Sequence, residues 1–318
     1  MLLGSPLSFG ALIAKATESE AENLKVIPIG SEGSLTWSTE VRLRYDAHEN
    51  RFLKENQDDR QSLFRGILGA DLRLNPNLRI LSEVGAAHVD RNRRLAPPNF
   101  ENEASLQQLF IEARGSTGSA LVGVMIGRQE FSDGPRQLIS LSDGPNLHRT
   151  WNGVRVYAND SRCRLSGYDL RITRLERGSF DERMDKDERI SGLNASFIIS
   201  PEGEADILVD PFYIQSENPQ FRSGKNLGLD ERHTLGIRTW GRHDDLRFDW
   251  TLALQKGTFM SRRVQAWGVF ATQSLTLSQE GWQDPRCHGA LVWAAHGDIF
   301  SRRLGHYRNW KHAFAGRD

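Results

Sequence analysis

Cysteine is nearly missing from this chain: 318 residues hold two, Cys163 and Cys287. That count rules out a disulfide scaffold, and neither cysteine has metal-ligand spacing to a second ligand. Both are expected in short connections, with no chemical role. Long hydrophobic runs are missing too. No stretch approaches the roughly twenty apolar residues of a membrane helix, and the mean hydropathy is −0.53. That low mean leaves a membrane barrel open, because only every second strand residue faces lipid and the loops are polar. Net charge is zero, with Lys+Arg and Asp+Glu at 41 each, so no basic excess points to nucleic acid. Metalloprotease, nucleophile-elbow, phosphate-loop and dinucleotide motifs are lacking. His233, His243, His288, His296, His306 and His312 show no metal spacing. No catalytic residue, metal site or cofactor is expected. Paired carboxylates abound, so a glycosidase on a β-scaffold remains an alternative.

What the chain does have is a rhythm of about thirteen short segments that alternate apolar and polar residues. Ser34 to Asp46 is the first. Leu35, Trp37, Val41, Leu43 and Tyr45 fall on one face, and Thr36, Ser38, Glu40, Arg42, Arg44 and Asp46 on the other. A strand points successive side chains to opposite faces, so one face is apolar and the other charged. The gaps alternate as well. Long ones are read at Ala47–Gln61, Asp90–Glu103, Gln129–Thr150, Arg177–Arg189 and Ser216–Arg232. Short ones are read at Asn75–Asn77, Gly115–Gly118, Asn159–Cys163, Ser200–Gly203 and Gly241–Asp245. Outer-membrane barrels have this layout, with tight turns on the periplasmic side and long loops outside. The expected fold class is therefore all-β, an antiparallel transmembrane β-barrel built as a meander. A soluble or surface β-protein that binds carbohydrate is the alternative; it would show two face-packed sheets.

If the apolar faces meet lipid, the charges share one lumen, where water allows them to be paired or hydrated. Leu35, Leu43, Leu72, Ile111, Val156, Leu170, Val209 and Leu252 should then face outward. By the same parity Arg42, Arg44, Arg73, Arg114, Arg155, Arg171, Arg238 and Arg247 are lumen candidates. A guanidinium fork suits carboxylate groups of a passing solute, and pairing with wall carboxylates is the competing role for each. Tyr45, Trp151, Trp240 and Trp267 lie near strand ends, where aromatic girdles sit.

Gly127 to Ile139 reads GRQEFSDGPRQLI, and Trp151-Asn152-Gly153-Val154-Arg155 follows. With Gly127, Arg128, Gln129, Glu130, Gly134 and Arg136 as its key positions, this segment resembles the alginate export family of outer-membrane porins. Gln137 between Arg136 and Leu138 departs from that pattern. Gln255-Lys256-Gly257, Ala266-Trp267 and Gly297-Asp298 are similar to later family segments. The resemblance implies an eighteen-stranded barrel in a Gram-negative outer membrane, with an electropositive lumen that passes an anionic polysaccharide or smaller anionic solute. Outer-membrane lipid and periplasmic export partners come with that reading. Arg128, Glu130 and Arg136 are expected to form an ion-pair network that folds a loop into the pore; a plain loop-stabilising network that touches no solute is the alternative.

Three regions are expected. Residues 1–33 are a signal-like or disordered segment, with an apolar stretch from Leu7 to Ile13, an Ala14-Lys15-Ala16 ending and no basic start. Residues 34–298 carry the strands, and 299–318 form a basic, unpatterned tail. About thirteen strands against eighteen, with an unpatterned tail, predicts a truncated or frameshifted member that leaves a seam between the strands near Leu35 and Leu291, or a barrel pinched by poor pairing there; a continuous ladder between them would instead mark a smaller, closed barrel.

Overall fold

The computed structural model describes residues 25–49, 58–90, 96–133, 137–142, 144–199, 205–243, 246–277 and 287–298. They form fourteen strands: β1 (Lys25–Ile29), β2 (Gly33–His48), β3 (Asp59–Asn75), β4 (Leu78–Val89), β5 (Asn102–Thr117), β6 (Ala120–Glu130), β7 (Thr150–Asn159), β8 (Cys163–Arg174), β9 (Arg183–Ile198), β10 (Ala205–Ser223), β11 (Asn226–His243), β12 (Leu246–Phe259), β13 (Arg262–Leu277) and β14 (Cys287–Asp298). Each pairs antiparallel with its sequence neighbours in one meandering sheet. Cys163 and Cys287 open β8 and β14 rather than lying in turns. The ladder runs from β1 to β14 without pairing those two edges, so the described sheet is open there.

The outer face carries the apolar alternation. Leu43, Ile111, Val156 and Leu252 are exposed on it, and Leu35, Leu72 and Val209 share its parity through the ladder. Toward the ends opposite the tight turns the apolar positions give way to polar ones. On β9, Phe197 and Leu193 lead to Ser191 and Arg189; on β10, Tyr213 leads to Gln215 and Glu217; on β12, Leu252 and Leu254 lead to Lys256. This is the upper edge of a lipid-facing belt.

Leu170 is the exception to the expected faces. It is fully buried, clustered with Phe131, Ile139, Trp151, Tyr168, Ile190 and Ile214. Its pairing partner Gly153 lies between the outward Val154 and Asn152, so Leu170 points inward and Asp169 and Arg171 outward. Parity is thus inverted on β8. The cause is an apolar part of the lumen wall, covered by the connection between β6 and β7.

Two loop readings also change. Gly224 and Lys225 are all that separate β10 from β11, so the expected long loop Ser216–Arg232 is instead the extension of two long strands. Arg183–Arg189, read as loop, is the first part of β9.

Candidate functional site: the inturned loop and the lumen wall

The connection from Phe131 to Arg149 contacts two separate parts of the wall. Its Phe131 and Ile139 pack on residues of β7, β8, β9 and β10, while its later half is held by β2, β3 and β4. A single segment can reach both groups of strands only across the concave side, so it lies in the lumen.

Basic side chains grip its backbone. Arg42 Nη2 donates to the Pro145 carbonyl at 2.8 Å, Arg44 Nη2 to Gly144 O at 2.6 Å, and Arg65 Nη1 to Asn146 O at 3.1 Å. The loop replies through Asn146, whose Nδ2 donates to the carbonyls of His88 and Phe100. Arg65, 5% exposed, also pairs with Glu40. A guanidinium can only donate, so His148 Nε2, 3.0 Å from Arg65 Nη1, accepts, and its Nδ1 donates to Glu130 Oε1 at 2.6 Å. The chain Glu40–Arg65–His148–Glu130 thereby ties two wall strands to both ends of the loop. At the loop's start Asp133 takes N–H groups from Ile139 at 2.6 Å and Leu138 at 3.3 Å. Burial pushes the Asp133 carboxyl up, against the pull of those amides.

The Gly-Arg-Gln-Glu segment is the corner where β6 leaves the wall. Gly127 and Gly153 face each other in the β6–β7 ladder with φ of 135° and 156°. A Cβ on Gly127 would sit 2.3 Å from Leu109 O, and one on Gly153 2.1 Å from Asp169 O. Only glycine fits either position. Arg128 does not join Glu130. Its Nη1 donates to Glu182 at 2.7 Å and Leu106 O at 2.8 Å, and its Nε to Asn152 at 3.1 Å. Glu182 also accepts from Leu106 N. The β8–β9 loop has moved onto the stretch of β5 that β6 abandons, with Phe180 N bonded to Ala104 O and Glu103 N to Arg177 O. Arg128 and Glu130 therefore enter two different networks. One clamps this loop against the wall; the other holds the lumen loop. Gln129 is buried beside Trp151 in the ladder. Gly134 and Arg136 lie outside the described residues.

The lumen candidates separate by what holds them. Arg155 points inward, with its guanidinium 5.6 Å over the Phe131 ring. Arg238 forks onto Asp249 at 2.7 and 2.6 Å, reaches Asp210 at 3.4 Å and covers Trp240. Arg73, Arg114 and Arg247 point inward near the tight-turn end. Arg73 is 3.6 Å from Asp71. Arg114 donates to the Pro76 carbonyl at 2.9 Å. Arg247 is exposed and faces Arg242 in the ladder. Arg171 is on the outer face, as above. Of the expected girdle, Tyr45 and Trp267 are outward and exposed, but Trp151 is 3% exposed in the loop cluster, and Trp240 donates inward to Asp210. Sequence reasoning missed Arg65, His148 and Asn146. Arg65 follows the same inward parity as Arg42, its ladder partner, and that signal was available.

An open meander of long strands with an apolar exterior, a charged interior and an inturned loop defines an outer-membrane β-barrel of the porin class. The chain belongs to the alginate export family, whose profile matches residues 34–311. Among curated proteins nothing matches. Solved structures similar to it include a BenF-like porin from Pseudomonas fluorescens Pf-5, at 10% identity and TM-score 0.42, covering 85% of this chain and 95% of that one. OprB from Pseudomonas putida is similar at 11% identity and TM-score 0.40, covering 77% and 75%. OccK2 (OpdF) from Pseudomonas aeruginosa, in complex with glucuronate, is similar at 9% identity and TM-score 0.37, covering 87% and 95%. The protein is a transport channel of the Gram-negative outer membrane that passes anionic solute.

Proposed function

We propose that the solute is a polymer or oligomer bearing carboxylates, of the uronic-acid kind, and that arginines on the inner wall guide it past the inturned loop. The observation that carries this reading is at the tight-turn end. Arg114 and Arg247 point inward, and among the described residues neither holds a carboxylate within salt-bridge distance. A carbonyl such as Pro76 O satisfies a hydrogen bond and leaves the positive charge in place. Arg155 and Arg238 are engaged by the wall or the loop and shape the passage more than they contact what moves through it. Periplasmic partners belong to the same proposal, at the mouth these arginines line.

The test is ion selectivity in planar bilayers, read as reversal potential under a salt gradient. Anion preference is expected, weakening as salt is raised because fixed charges are screened beyond about 10 Å at 0.1 M. Arg114→Glu with Arg247→Glu should lower or reverse it, and oligouronate should block the current from the tight-turn side. Unchanged selectivity in the double variant would sink the reading.

A further inference from the structure

The outer face has a feature that transport does not use. Across β7 to β10 runs a groove of about 420 Å³, lined by Val154, Val156, Gly167, Leu193 and Tyr213, with Asp169 at its end toward the long loops. Gly167 makes the groove. A Cβ there would meet Leu193 Cδ2 at 3.0 Å and Val156 Cγ2 at 3.5 Å, so any larger side chain would fill it. Leu193 and Val156 are 66% and 49% exposed on the belt. The groove is therefore mostly apolar, shallow and open to the hydrocarbon of the membrane.

At its upper end two guanidiniums meet. Arg171 and Arg189 are direct partners in the β8–β9 ladder, an arrangement of like charges that disfavours pairing. Arg189 is satisfied: its Nε and Nη2 each donate to Asp169 at 2.7 Å, and Glu217 stands opposite it on β10. Arg171 is not. Its closest carboxylate oxygen is Asp169 Oδ1, 3.8 Å from Nη1, too far for a hydrogen bond. Its partner on the other side is Asn152, whose Oδ1 is taken by Arg128 and whose Nδ2 bonds Thr173. Arg171 thus presents unused donors at the edge of the lipid belt, above an acyl-sized groove.

We propose that this is a binding site for an anionic membrane lipid of the leaflet on the long-loop side. One acyl chain lies along Val154, Val156, Gly167 and Leu193, and a phosphate oxygen is held by Arg171 with Arg189 beside it. Charge and shape fit one another: a phosphate supplies the acceptor oxygens that Arg171 lacks at hydrogen-bond distance, and a basic side chain near the membrane surface is worth about fivefold in affinity. The site is independent of which solute crosses the lumen.

The experiment is native mass spectrometry of the detergent-solubilised barrel titrated with phosphatidic acid, phosphatidylcholine, diacylglycerol or inorganic phosphate. One bound phosphatidic acid is expected at low concentration. Arg171→Gln should weaken it about fivefold, and Gly167→Leu should abolish retention by filling the groove. Bilayer conductance should stay unchanged in Arg171→Gln, which separates failure here from failure of the transport reading. Equal retention by wild type and Arg171→Gln would overturn the proposal. So would diacylglycerol binding as tightly as phosphatidic acid, or inorganic phosphate competing at similar concentration. If Gly167→Leu fails to fold, the Arg171→Gln series decides alone.

Discussion

Arg65 is the residue on which the lumen loop depends most. It is buried, it pairs with Glu40, and it meets both Asn146 O and His148. Truncating Arg65 removes its donations to Asn146 O and His148 Nε2, at about 1 kcal/mol each, while Glu40, 36% exposed, keeps its water. Arg65→Ala should therefore loosen the loop, read as faster protease cleavage between Asp133 and Arg149, with the barrel itself intact. Asp133 gives that loop a pH dependence. Its carboxyl is raised in the fold, so the folded loop binds a proton more readily than the unfolded one. Stability is then greatest below the ordinary carboxylate pKa and falls as pH rises through the raised value. Protease protection should decline over that interval, and Asp133→Asn should flatten the profile. A third residue separates inner from outer face. Arg114→Glu should reduce anion selectivity, whereas Arg171→Glu should leave it untouched, since Arg171 points to lipid. Equal effects from the two would contradict the assigned faces.

At the scale of the element, the β6–β7 hairpin shows what a sequence can and cannot disclose. The corner was legible as a motif. Its chemistry was not, because the partners of Arg128 and Glu130 come from elsewhere in the chain, Glu182 on one side and His148 on the other. Strand rhythm was legible wherever one face meets lipid, since the belt imposes period two. It faded at Ser216–Ser223 and Asn226–Arg232, which read as loop and fold as strand. Beyond the belt both faces of a strand meet water, so nothing enforces alternation. Gly127 makes an element-scale prediction. Gly127→Ala would press a Cβ to 2.3 Å from Leu109 O in a conformation of positive φ. The expected result is a lower heat-induced unfolding temperature on gels, with Gly115→Ala as the control, because a Cβ on Gly115 meets open space. Equal shifts would show that the corner is not strained.

For the whole molecule, alternation identified a barrel but could not say which face of each strand is inside. On most strands the apolar face is outward. On β8 the choice inverts, because Tyr168 and Leu170 meet Phe131 and Ile139 from the lumen loop, and no count of residues along β8 alone contains that information. The inversion has a mechanical consequence. If the loop swung out of the lumen, Phe131 and Ile139 would leave their contacts and Trp151, Tyr168 and Leu170 would face water. Exposing two such side chains alone costs about 4 kcal/mol, and the carbonyls gripped by Arg42, Arg44 and Arg65 would lose their donors. At 1.4 kcal/mol per tenfold, the withdrawn state is populated at roughly one part in a thousand or less. The loop is thus a fixed constriction and not a gate. Single-channel records of the wild type should show one dominant conductance level across moderate voltage. Replacing residues 137–147 by a short Gly-Ser linker should give a larger, steady level, with a lower unfolding temperature because the inner apolar patch is uncovered. If the wild type visits the larger level readily, the packing of Phe131 and Ile139 does not hold the loop, and the passage is gated by its withdrawal.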